Sequence, residues 1–172
     1  MVFLCNFGSM TAFKKLITKI GLFALQRGAV SISHFNKEVQ QELQAWPNGF
    51  TIKIAVKGDP MAIVWEKTKN GLKTSNPNLE SFDLIIYFKN LNTAFNVITT
   101  LSNVPESFTQ NRIQAFGYNP DSMILIRILN VVQAYLFPPI LSKRVLKRVP
   151  KFSLNQHVGR IRVYTLGLIF AK

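Results

Sequence analysis

One cysteine, two histidines and eight acidic residues are all that this 172-residue chain offers for thiol, metal or acid–base chemistry. With Cys5 alone, a disulfide framework and a cysteine metal site are both excluded. So sparing a use of thiol fits a reducing, cytoplasmic compartment. His34 and His157 stand far apart and form no H-x-x-x-H pair. The acids are scattered: Glu38 and Glu42 share a helical face among glutamines, and Asp83 lies in a strand-like segment where a base could pair with it. No P-loop, G-x-G-x-x-G or G-x-S-x-G pattern occurs. The side chains of a catalyst are therefore missing. The expectation is a protein that is not an enzyme, with no catalytic residue, no metal and no other cofactor. Long apolar runs are missing as well. Spanning a bilayer takes roughly 20 apolar residues, and the best stretch, Met123 to Phe137, is interrupted by Arg127, Asn130 and Gln133. Met1 to Ser9 is apolar but lacks the positive region of a secretory signal, so the fold is read from Met10 onward.

What is present is apolar and basic. Apolar residues make up 48% of the chain, charged residues only 17%, and fourteen are phenylalanine. The length suits one domain, large enough to bury roughly two-thirds of its unfolded surface and to enclose a cavity. The net charge of +13 calls for an anionic partner, either nucleic acid or a lipid surface. No helix-turn-helix, zinc finger or basic–aromatic strand pattern supports nucleic acid. The cations instead gather at the two ends, interleaved with apolar residues, as at a membrane interface. Near the N-terminus Phe13, Leu16, Ile17, Ile20, Phe23 and Ala24 fall at helical spacing, with Lys14, Lys15 and Lys19 on the other face. Such a helix either packs on the core with solvated lysines or lies on a membrane. Near the C-terminus Lys143, Arg144, Lys147 and Arg148 surround Leu141, Val145 and Val149, and no acid occurs from residue 142 to 172. These seven cations are the candidate contacts to an anionic membrane, which makes the expected location cytoplasmic and peripheral to a membrane.

Between the ends the hydrophobic period changes. A helix is expected from Ser33, as N-cap, to Trp46, with Phe35, Val39, Leu43 and Trp46 as its stripe. Residues 50–57 then alternate as a half-buried strand does. A second strand over 61–68 and a third over 72–75 are joined by Asn70-Gly71, a hairpin signal. Residues 82–89 alternate again, and Ile85 and Tyr87 make their second face apolar too. A helix over 92–101 capped by Asn90 or Asn92, a short helix opened by Pro105, and a last strand over 112–116 follow. Asn119-Pro120-Asp121 starts the final helix, which is apolar over most of its circumference and so must be surrounded by core or ligand. Pro138-Pro139 ends it.

From about Phe35 to Phe137 this order of elements resembles the sterol-carrier-protein-type lipid-binding domain of the type-two family. Ser81 to Phe88 looks like the family's strand that opens with an Ala-Asp pair. Asn90 to Leu101 looks like the helix after it. Pro105-Glu106-Ser107-Phe108 through Asn111-Arg112-Ile113 resembles its short helix and the Phe-x-x-Gly-Lys-Leu step into a strand. Gly117-Tyr118-Asn119 sits where the family has Gly-Asp or Gly-Asn. Asn111 stands where glycine is usual, and asparagine is the best non-glycine residue at positive φ. The C-terminal Phe170-Ala171-Lys172 is not the peroxisomal signal of some members.

The resemblance implies a sheet and helices that bind sterol, fatty acyl or other apolar lipid without catalysis. The expected fold is α+β, a five-stranded, mostly antiparallel sheet with helices packed on one face and an apolar cavity between. Its expected organisation is an N-terminal segment over 1–32, a lipid-binding domain over 33–139 and a basic extension over 140–172. Ile85, Tyr87, Phe95, Ile98, Phe108, Ile126, Leu129, Val132 and Leu136 are the candidate lining residues. An empty cavity of roughly 300 Å³ would cost about 7 kcal/mol, so a lipid or a collapse is expected to fill it. Two other readings stay open: an accessory factor that presents a quinone-type lipid to a biosynthetic enzyme, and a basic nucleic-acid-binding module.

Overall fold

The computed structural model describes residues 3–99, 101–102 and 104–136, with side chains from residue 10 onward. The first helix, α1 (Phe3–Phe35), is much longer than its apolar pattern suggests. It runs on through Gly21 and Gly28, each of which costs about 1 kcal/mol in a helix relative to alanine. Close packing offsets that cost. A Cβ on Gly21 would fall inside the Ile98 side chain, and one on Gly28 would lie 2.9 Å from a methyl of Leu136. Ser33 is no N-cap. It sits in the last turn of α1, fully buried, where its hydroxyl donates to the Val30 carbonyl at 2.7 Å and accepts from the Leu72 amide at 2.9 Å. The cap of α2 (Lys37–Leu43) is Asn36, whose side chain accepts from the Val39 amide at 3.0 Å.

Five strands follow the alternation of the sequence: β1 (Thr51–Val56), β2 (Ala62–Thr68), β3 (Gly71–Thr74), β4 (Leu84–Phe88) and β5 (Ile113–Phe116). They form one sheet in the order β3-β2-β1-β4-β5. Three pairs are antiparallel, and the central pair β1–β4 is parallel, so the sheet is mixed. The β2–β3 hairpin lies where expected, but its two-residue loop is Lys69-Asn70, one position early, because Thr68 pairs with Gly71. Gly71 is needed for another reason. Its φ is 142°, and a Cβ there would lie 2.7 Å from Ser33 Oγ. Among the described residues Asp83 meets no base; its carboxylate accepts from the amide of Thr51 at 2.7 Å and from its hydroxyl at 2.8 Å, beside the start of the parallel pair.

Three more helices complete the chain: α3 (Leu91–Ile98), α4 (Val104–Thr109) and α5 (Asn119–Leu136). Asn90 caps α3 by accepting from the Thr93 amide at 2.8 Å. Asn111 takes the positive φ, 53°, expected of it. Ile52, Ile54, Ile63, Trp65, Leu84, Ile86 and Phe88 face the helices and form one core with Leu22, Leu25, Ile32, Val97, Leu125 and Leu129. Trp65 is fully buried and donates its indole N–H to the Gln26 carbonyl at 3.1 Å, which holds α1 on the sheet. Arg127 leaves the core and grips Glu42 of α2 with two bonds of 2.6 and 2.8 Å, and that pairing raises its pKa.

Gly117 is the tightest turn position. Its φ is 137°, and a Cβ there would lie 2.6 Å from the Asp83 carbonyl oxygen. Gly58, with φ of 79°, has open space around it. Gly117→Ala therefore adds a backbone clash to the strain and is expected to cost about 2–3 kcal/mol, whereas Gly58→Ala costs about 1 kcal/mol. Thermal melts of the two variants check this. Equal Tm losses would mean that the approach of Asp83 to Gly117 carries no energy.

Candidate functional site

Helices α1, α3, α4 and α5 do not close fully on the sheet. They leave an apolar cavity of about 140 Å³. Ile54, Ile86 and Phe88 form its floor and Ile113 one side. Gly21, Ala24 and Leu25 of α1, Val97 and Ile98 of α3, Val104 and Phe108 of α4, and Leu129, Gln133 and Leu136 of α5 form the walls and roof. Gly21, Ala24, Phe108 and Leu136 keep some exposure, while the other lining residues are buried, so these four mark the mouth.

Among the described lining residues only Gln133 carries a polar side-chain atom, and none is an acid, a base or a nucleophile. The cavity can hold an apolar molecule and exclude water from it. Its size matches a ring system, as benzene fits an engineered apolar cavity of about 150 Å³. A longer acyl or isoprenoid chain must extend through the mouth. At about 24 cal/mol per Å³ the empty space costs about 3 kcal/mol, less than half the cost expected from the sequence.

Of the candidate lining residues, Ile98, Phe108, Leu129 and Leu136 reach this cavity, and Ile85, Tyr87, Phe95, Ile126 and Val132 do not. Side chains alternate across a strand, so with Leu84, Ile86 and Phe88 toward the helices, Ile85 and Tyr87 point to the other face of the sheet. There the Tyr87 ring meets Phe116 edge-on at 5.8 Å. Phe95 lies half-buried at the surface with the Lys14 ammonium 5.9 Å from its ring centre. Ile126 and Val132 are buried in the core on neighbouring faces of α5. In the sequence Arg127, Asn130 and Gln133, three residues apart, look like one polar stripe. A spacing of three residues drifts about 60° per step on a 3.6-residue helix, so Arg127 reaches solvent while Gln133 turns inward.

The basic ends divide. Lys143, Arg144, Lys147 and Arg148 lie outside the described residues. In α1, Lys15 pairs with Asp59 at 2.8 Å, which holds the Asp59 carboxyl below its usual range. Lys14 donates to Asn92 at 3.0 Å, and Lys19 is exposed. The apolar stripe between them does not pack on the core. Met10, Phe13, Leu16, Ile20 and Phe23 all keep more than half of their surface exposed. They occupy the side of α1 opposite Leu22, Leu25, Ala29 and Ile32, and Phe23 adjoins the cavity mouth at Ala24. Arg27 lies over the Phe23 ring at 5.0 Å. No helix among the described residues is long and apolar enough to cross a membrane.

No protein-family model matches the chain, and no curated protein does. Several solved structures are similar to it. The UbiJ-SCP2 ubiquinone synthesis protein is 15% identical, with 74% of this chain and 97% of that one covered and a TM-score of 0.47. Sterol carrier protein 2 from Yarrowia lipolytica, in its apo form, is 13% identical over 65% of this chain and 89% of that one, with a TM-score of 0.43. Sterol carrier protein 2 like 2 from Aedes aegypti is 12% identical over 52% and 87%, with a TM-score of 0.34. The cavity, rather than these likenesses, carries the functional reading.

Proposed function

We propose that this protein is a non-enzymatic carrier of apolar lipid, loaded and unloaded at an anionic membrane surface through the face of α1 that flanks the cavity mouth. One observation carries the reading: an apolar cavity opens beside an exposed apolar stripe. A water-filled opening would make lipid exchange costly, since each buried CH₂ moved into water costs about 0.8 kcal/mol. A mouth pressed into the interface of a bilayer avoids that step. The charge of the chain favours anionic lipid, each cation near the surface contributing about 1 kcal/mol at low salt. The sequence resemblance to the sterol-carrier type over residues 35–137 points the same way. An apolar stripe at the basic end also suits a membrane better than a phosphate groove.

The same cavity would serve a carrier that presents a quinone-type intermediate to a lipid-biosynthetic enzyme, and the lipid itself separates the two uses. Organic extracts of the purified full chain, read by mass spectrometry, are expected to contain an apolar lipid at near-stoichiometric amount. The lipid-stripped protein is expected to take up diphenylhexatriene, a fluorescent hydrocarbon. A stripped protein that takes up no hydrocarbon would sink the carrier reading.

A further inference from the structure

The cavity is not uniformly greasy. Gln133 is only 6% exposed, its side chain lines the cavity, and its Oε1 has no hydrogen-bond partner among the described residues. Leaving a buried amide oxygen unpaired is unfavourable. Thr18, Ser107 and Ser122 also bury unpaired hydroxyls, but each sits inside a helix, where a hydroxyl can turn back to a carbonyl of the preceding turn, and none lines the cavity. Gln133 has no such escape. A trapped water answers it poorly, because a buried water needs two to four polar partners and the lining offers this one polar side chain.

Resting on the carrier reading above, we infer that Gln133 is the polar anchor of the cavity and that its ligand is an uncharged lipid bearing a hydroxyl group. The hydroxyl donates to Gln133 Oε1 while the apolar body of the ligand lies against Ile98, Phe108 and Leu129. The group is taken as neutral. Among the described residues no cation lines the cavity, and a carboxylate buried there without a counter-charge is far costlier than a paired hydroxyl. The amide is also short enough in donors and acceptors to select one polar group on an otherwise apolar molecule, which a bare hydrocarbon wall cannot do.

The test uses the lipid-stripped full chain loaded with diphenylhexatriene, which has no polar group. It is displaced in turn by dodecanol, by its methyl ether and by dodecanoate. The wild-type protein is expected to prefer dodecanol to the ether and to dodecanoate by about tenfold. Gln133→Met, of similar length and without an amide, is expected to keep the hydrocarbon and lose the preference. A wild type that binds the hydrocarbon but does not favour the alcohol overturns the anchor and leaves the carrier standing. So does a preference that survives in Gln133→Met. A wild type that takes up no hydrocarbon at all overturns both. If Gln133→Met fails to retain the hydrocarbon, Gln133→Leu supplies the same comparison.

Discussion

Ala24→Phe is expected to cut uptake of diphenylhexatriene by about a hundredfold and to leave the protein as stable as before or more so. Ala24 lies at the cavity mouth on α1, partly buried, with its methyl on the lining. A phenyl group placed there is the size of the benzene that fills an engineered cavity of about 150 Å³, against about 140 Å³ here. It would occupy the ligand's space with a covalently held occupant. Any ligand must then expel the ring, and two tenfold steps in affinity correspond to about 2.7 kcal/mol. Filling the void returns up to about 3 kcal/mol of cavity cost, offset by overpacking strain of about 1–3 kcal/mol. The sum lies between no change and a gain of about 2 kcal/mol, read as a Tm rise of up to roughly 8 °C. This combination separates a ligand cavity from an accidental packing fault, since stability and uptake move apart. Tyr87→Ala, on the sheet face away from the cavity, is the control and is expected to leave uptake unchanged. An Ala24→Phe protein that folds and binds as the wild type does would remove the cavity from the function.

The sheet was legible because its signals are local. Alternation over 50–57 and 82–89, an early loop after Thr68 and the Asn90 cap each act within a few residues. Asn111 at φ 53° fits the resemblance, in which it stands where glycine is usual. What stayed hidden depends on residues distant in sequence. The two faces of β4 are both apolar, so no pattern within Phe82 to Lys89 says whether Ile85 or Ile86 meets the helices. That choice is made by the pairing of β4 with β1 and by α1, 50 residues earlier. Gly21 and Gly28 resemble helix breakers until Ile98 and Leu136 are seen against them. Gln133 looks like one member of a solvated stripe until the helix phase turns it inward. The stripe on α1 left two readings open, packing on the core or an exposed face. The core takes Leu22, Leu25, Ala29 and Ile32, and Phe13, Leu16, Ile20 and Phe23 stay exposed. A helix with two apolar faces cannot be oriented from its own sequence.

That second face sets the other large effect. Replacing Phe13, Leu16, Ile20 and Phe23 together by serine is expected to reduce binding to vesicles containing phosphatidylserine by about a thousandfold. Each of the four exposes between 51% and 58% of its surface. Full burial of such a side chain contributes about 1.5–3 kcal/mol, so its exposed half contributes about 1 kcal/mol at an interface, and four give about 4 kcal/mol. The cations act differently. Lys19→Glu weakens binding by a smaller factor that fades as salt rises, whereas the loss from the serine variant persists at high salt because the contact it removes is apolar. Fold and cavity provide the control. The four side chains face away from the core, so the serine variant is expected to keep its Tm within a few degrees and its uptake of diphenylhexatriene intact. Exchange of that hydrocarbon from protein to vesicle is expected to slow with the loss of binding, because the mouth beside Ala24 then opens to water rather than to lipid. Vesicle binding that survives the four substitutions, or a wild-type chain that ignores anionic vesicles altogether, would detach the stripe from the membrane and leave it to a partner of another kind.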